Sequence, residues 1–191
     1  MFALSRLGFG LLLISTRLSP EACLKLMQDN KSSLVVQSTS PLSFDLGDRV
    51  CKVDPSMSVV QMATEDAYRS DKLDHGDISL SALTRKSDEE RQYDTAIIYH
   101  SSGSTGFPKG IPTSHVKLLA RIQPGKGRRA MCPAPLFHAY CGKITINSIM
   151  AGQCMYLSNP MVPQTSESLL EMCREAKPFT LWAGECKDLQ C

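Results

Sequence analysis

Apolar residues along this chain fall into short runs, some spaced for helices and some continuous, separated by clusters of Ser, Pro, Gly and Asp. "LLLIS", Leu11–Ser15, follows Gly8 and Gly10 and reads as a buried strand after an apolar helix end stopped at one of those glycines. Ser19-Pro20-Glu21 predicts a helix start, because Ser can cap, Pro suits the first helical position and Glu favours the positive end. That helix is expected across Ala22–Gln28, with Leu24 and Met27 on one side. "SLVVQS", Ser33–Ser38, reads as a short buried strand and "RVCKV", Arg49–Val53, as another. Thr39–Tyr93 is otherwise irregular, with a turn-rich "STSPLSFDLGD" and a charged "LSALTRKSDEERQYD" expected at the surface. "TAIIYH", Thr95–His100, predicts a strand feeding a glycine-rich stretch. Beyond it, "RAMCPAP" predicts a strand, "HAYCGKITINSIMAG" a helix ending near Gly152, and "QCMYLS" a strand. "TSESLLEMCREAK" then predicts a helix with a Ser or Thr start, and "FTLWA" a last strand. The alternation predicts an α/β fold with a mostly parallel sheet and flanking helices. No internal repeat or low-complexity linker divides it.

Composition narrows the functional classes. With 42% apolar and 21% charged residues over 191 positions, the chain can bury a core. Its net charge of +2 and the short "KGRR" at Lys126–Arg129 give no footing for nucleic acid or an anionic membrane as partner. "FGLLLI" is too short to span a bilayer and the N-terminus is read as part of the fold, so a cytoplasmic location is expected. The eight cysteines show no CxxC and no repeating spacing, and are expected to be mostly buried thiols in a reducing compartment. No metal site is assigned, the pair Cys186 and Cys191 being the nearest approach to one. "DHGDISLS" lacks the Gly-Ser order of a carrier-protein attachment serine.

The stretch "YHSSGSTGFPKG", Tyr99–Gly110, carries the chemistry. Gly103, Gly106 and Gly110 permit close backbone approach and positive φ, which can turn several N–H groups toward an anion. Ser101, Ser102, Ser104 and Thr105 offer hydroxyl donors, and Lys109 a cation that can follow a triphosphate. A solvent-facing connector could be built from the same turn residues. Neither the nucleotide-triphosphatase pattern GxxxxGK[ST] nor the dinucleotide pattern GxGxxG fits, since Pro108 and Gly110 flank Lys109 and the glycines are spaced otherwise.

The segment closely resembles the signature SSGSTGxPKG of the adenylate-forming enzymes: acyl-CoA synthetases, luciferases and peptide-synthetase adenylation domains. The match is continuous from Ser101 to Gly110. The resemblance implies that Ser102, Gly103, Ser104, Thr105 and Gly106 wrap the β and γ phosphates of ATP, with magnesium, while Lys109 helps hold the mobile loop and the leaving pyrophosphate. "GIPTSH", Gly110–His115, resembles the family's return to a strand, and "PLFHAYCG", Pro135–Gly142, its acyl-site motif. His138 is thereby implied to be the catalytic-site residue beside the activated carboxyl group. Read without the resemblance, a His between Phe137 and Tyr140 at a helix start is as readily a packing residue. His115 reads as structural, and His75 and His100 have no partner pattern, although His100 adjoins the loop.

The opening "ALSRLGFGLLLISTRLSPEA" resembles fungal adenylation domains fused to carrier, reductase or thioesterase modules. The chain is therefore expected to be residues 1–191 of a partial AMP-binding domain in secondary metabolism, incomplete in the large N-terminal domain. No YGxTE-like motif, ribose-binding Asp or C-terminal Lys of the family follows. The resemblance implies a carboxylic acid substrate and, as a further partner, a carrier protein or a polypeptide supplying the missing half. An inactive remnant and a noncatalytic module remain the alternatives. Exposed strand edges lead us to expect poor solubility or dimerisation.

Overall fold

The computed structural model describes residues 4–5, 8–38, 45–62, 87–101, 106–120, 128–158, 164–178 and 180–181. Eight strands and six helices alternate through them. The strands are β1 (Leu11–Leu12), β2 (Leu34–Gln37), β3 (Ser58–Gln61), β4 (Thr95–Ser101), β5 (Lys109–Ser114), β6 (Arg129–Cys132), β7 (Cys154–Leu157) and β8 (Thr180–Leu181). The helices are α1 (Pro20–Asp29), α2 (Leu46–Val53), α3 (Asp88–Arg91), α4 (His115–Leu119), α5 (Ala139–Met150) and α6 (Ser166–Ala176). The α/β expectation holds, with one qualification about pairing. Among the described residues the strands form three small sheets, ordered β1-β4-β5, β2-β3 and β7-β6-β8. All pairs are parallel except β4 with β5, which are antiparallel because only a short loop joins them.

Helix boundaries follow local chemistry. Ser19 Oγ accepts from the Ala22 N–H, and Pro20 opens α1 without an N–H to satisfy. α6 begins with a reciprocal capping box in which Thr165 and Ser168 each bond the other's backbone N–H. α5 ends at Met150, and Gly152 takes a φ of +71° just beyond it.

Two expectations about local structure fail, and a third holds only in part: of Leu11–Ser15 just Leu11–Leu12 is strand, and both residues are half-buried. "RVCKV" is helical, the end of α2, because Leu46 and Val50 stand four apart and are buried together against α1. The β-branched valines suggested a strand only because the window began after Leu46. "SLVVQS" is a strand but not a buried one: Leu34 and Val36 lie 45% and 42% exposed. Among the described residues, β2 and β3 are covered on one face only, where a side chain at Gly47 of α2 would collide with Gln37, Val59 and Val35.

The core falls into two clusters. Cys23, Met27, Leu46 and Val50 join α1 to α2. Ala96, Ile97, Tyr99, Leu118 and Ile146 join β4 to α4 and α5. β4 carries buried side chains on both faces, as its continuous apolar run requires. No described helix is long and apolar enough to cross a membrane.

Candidate functional site at the end of strand β4

The chain "TAII" drives β4 into the interior, and the polar stretch that follows emerges where β4 ends. Ser101 of β4 pairs with Lys109 of β5, and His100 with Gly110, so the signature segment closes a β-hairpin. The expectations for Ser102, Gly103, Ser104 and Thr105 fall outside the described residues. Ser101 is exposed at the strand end, and Lys109 is exposed at the start of β5. Gly106 has a φ of +89° and open space around it, so its backbone is free to approach a ligand in a conformation that L side chains resist. Gly110 serves packing as well: a Cβ there would lie 2.5 Å from Asn30 Oδ1. Asn30 itself is fixed at the end of α1, its Nδ2 donating to the Leu26 carbonyl at 2.7 Å.

A second segment meets this hairpin from the α5 side. His138 is the N-cap residue of α5, exposed, and its imidazole makes no capping bond. Its ring lies 4.7 Å from the Phe137 ring, centroid to centroid, tilted by 38°. Phe137 in turn stacks on His100, at 5.8 Å and only 6° from parallel. The Ser15 backbone N–H, from 85 positions upstream, donates to His100 Nε2 at 3.1 Å. His100 is buried, and burial together with the nearby His138 holds its imidazole below the usual histidine range. Sequence reading gave His100 no partner. Its adjacency to the loop was the only signal, since both partners come from segments remote in sequence.

The turn before His138 is held at both ends. Cys132, last residue of β6, is bonded to Cys141 in the first turn of α5, with Cα atoms 6.1 Å apart, inside the range that disulfides span. This corrects the expectation of mostly buried free thiols. Of the four described free cysteines only Cys23 is buried; Cys51 and Cys173 are half-buried and Cys154 is exposed. The Pro133 carbonyl accepts from Ser158 Oγ at 2.9 Å and also from the Gln164 side chain.

Beneath the turn, Gly142 lets α5 approach β4 closely. A Cβ there would lie 2.5 Å from Tyr99 Cε1 and 2.6 Å from the Leu136 carbonyl oxygen. Tyr99 is wholly buried, its hydroxyl has no hydrogen-bond partner among the described residues, and burial pushes its pKa up to about 12. Lys143 Nζ stands 5.6 Å from the Tyr99 ring centroid, within cation–π range. His115, read as structural, starts α4, where its backbone N–H donates to the Asp94 carbonyl. Among the described residues no group of three or more His, Cys, Asp or Glu could hold a metal. A cleft of about 320 Å³ opens elsewhere, between the end of β7 and α6, lined by Tyr156, Gln164, Met172 and Glu175.

The hairpin can thus offer backbone and an ammonium to an anion, while the α5 entrance offers an imidazole held against an aromatic ring. Comparison with known proteins sets this arrangement in context. The chain is 28% identical over 167 residues to the peroxisomal OPC-8:0-CoA ligase 1 of Arabidopsis thaliana, covering 71% of this chain and 30% of the relative. It is 25% identical over 189 residues to an adenylate-forming reductase of Aspergillus terreus, covering 95% of this chain and 18% of that protein. The chain therefore spans less than a third of the length of these curated relatives. Its fold is similar to that of the inhibitor-bound N-terminal domain of FACL13 from Mycobacterium tuberculosis, with a TM-score of 0.67 at 21% identity, covering 95% of this chain and 45% of that one. Residues 1–184 match the AMP-binding enzyme family, and with its signature segment closing the β4–β5 hairpin, the chain belongs to that family.

Proposed function

We propose that this chain supplies the triphosphate loop and the acid-site entrance of an enzyme that activates a carboxylic acid with ATP. The observation that carries this reading is the meeting of two segments: the signature hairpin and the Phe137–His138 turn, joined through His100. The described part of the loop suits a phosphate group, because Gly106 is in the left-handed region with space around it and Lys109 presents an exposed ammonium. Ser101, Ser102, Gly103, Ser104, Thr105 and Gly110 complete the assigned set. In such an enzyme the substrate carboxylate attacks the α phosphate of ATP, forming an acyl-adenylate and releasing pyrophosphate. Magnesium and Lys109 would offset charge on the phosphoryl oxygens during transfer. His138, free of any capping bond, would stand beside the carboxylate, and α5 would form one wall for the rest of the acid.

A place in secondary metabolism and a carrier protein as partner are proposed with it, on the resemblance of the opening segment; the similarity along nearly the whole chain is to an adenylate-forming reductase. The reading is tested by calorimetry of Mg-ATP binding to the folded chain, compared with Lys109→Ala and with a Gly103→Ala, Gly106→Ala double variant. One saturable site, abolished in both variants, is expected. A folded wild-type chain that takes up no Mg-ATP would sink the proposal.

A further inference from the structure

The sequence places Phe137 immediately before His138, so whatever fixes the Phe137 ring restricts the backbone from which His138 projects. The Cys132–Cys141 bond ties the ends of this turn, and Phe137 lies between them in sequence. Something else must orient the aromatic residue in the middle.

That partner is His100. Its Nε2 accepts the Ser15 N–H at 3.1 Å, so this nitrogen carries no proton and the neutral ring holds its proton on Nδ1. An imidazole anchored to a backbone N–H and buried to 9% exposure has little freedom to tilt. Its face lies parallel to Phe137 at 5.8 Å, and Phe137 contacts the His138 ring at 4.7 Å. The contacts form one series, from the backbone after β1 through two rings to the exposed imidazole.

We infer that His100 is a positioning residue for His138, acting as a bracket between the Ser15 backbone and the Phe137 ring. The inference rests on the reading of His138 as the acid-site histidine. It gives His100 two separable parts. The ring face holds Phe137; the Nε2 acceptor holds the ring. His100→Phe keeps the stacking face and loses the acceptor. His100→Gln keeps an acceptor at the same reach and loses the face.

The test uses the whole chain with isotope-labelled histidine, the His138 signals being assigned among the four imidazoles by substitution. The signature is the displacement of the His138 ring-proton resonances by Phe137, defined as their difference between wild type and Phe137→Leu. His100→Gln and His100→Ala are expected to lose that displacement, and His100→Phe to retain most of it. Urea midpoints, read in parallel, identify the folded variants; if His100→Ala does not fold, the Gln and Phe variants decide. Displacement unchanged in folded His100→Gln, or lost equally in His100→Phe, would overturn the bracket. Mg-ATP calorimetry on the same samples separates the two ideas. Failure of binding with the signature intact removes the acid-site role and leaves the bracket; binding with the signature unmoved in His100→Gln removes the bracket alone.

Discussion

The two core clusters are built to different rules. Between α1 and α2 the buried set is Cys23, Met27, Leu46 and Val50, and among the described residues no buried side-chain polar atom beside it lacks a hydrogen bond. Gln37, for example, accepts from the Gly47 N–H at 2.9 Å and donates to Asp48 at 3.0 Å. Between β4 and α5 the interior instead holds Tyr99, whose hydroxyl has no partner among the described residues, a neutral His100, and buried Thr113, Thr145 and Ser148. Burying such groups costs free energy that apolar packing does not. Departures of this kind concentrate where a fold serves a ligand, and here they lie beneath the signature hairpin and the His138 turn. The first region is apolar packing, and the second lies under the residues to which the proposed chemistry is assigned.

The largest expected effect belongs to the apolar cluster. Met27 is fully buried, with its sulfur 4.0 Å from Cys23 Sγ, so Met27→Ala should leave a cavity and cost about 3 kcal/mol in urea unfolding. Gly142→Ala attacks the other region by overpacking. Its new methyl group would meet both the Tyr99 ring and the Leu136 backbone, at a cost of about 2 kcal/mol. It should also displace the turn that carries His138, and the imidazole NMR signals would report that shift. Met27→Ala should leave those signals in place. Equal disturbance of His138 by both variants would erase the distinction between the regions.

What the sequence disclosed follows the same division. α1, α5, α6 and strands β4, β6 and β7 were legible because caps, glycine stops and apolar runs are local signals. Arg49–Val53 was misread because the residue that reveals its helical spacing, Leu46, lies outside the short apolar window. The exposed β2 face was illegible because a run of valines does not state how many faces are covered. In the site, the hairpin was legible through its motif, and the position of His138 at a helix start through the helical run that follows it. His100 was not, because its function depends on Ser15 and Phe137, which only the tertiary fold brings to it.

The regions should also separate at alkaline pH. Burial raises the Cys23 thiol from 9.0 to about 11 and the Tyr99 phenol from 10.0 to about 12. Both are neutral when folded and ionise more readily when unfolded. The stability each contributes is complete below its unfolded pKa and lost as pH rises through the folded one. Cys23→Ala should therefore flatten the stability profile between 9 and 11, and Tyr99→Phe between 10 and 12. Near neutral pH, Tyr99→Phe removes a buried hydroxyl without a partner among the described residues and should gain about 1 kcal/mol. A loss of stability instead would mean that the hydroxyl is satisfied, and the contrast with the α1–α2 cluster would weaken.

Acid provides the finest test, because burial moves the pKa of His100, in the β4–α5 region. Its pKa lies below the ordinary 6.5, burial being the larger cause and the charge of His138 the smaller. The unfolded chain thus binds a proton at this position before the folded chain does. Stability should decline as pH falls through 6.5 toward the depressed folded value, and level off below it. Protonation also removes the Nε2 acceptor from the Ser15 N–H, the same loss that His100→Phe makes permanent, while the ring face against Phe137 is kept. His100→Phe should abolish this part of the acid limb while Cys23→Ala leaves it unchanged. A decline below pH 6.5 that persists undiminished in folded His100→Phe would place the acid sensitivity elsewhere and remove the electrostatic difference between the two regions.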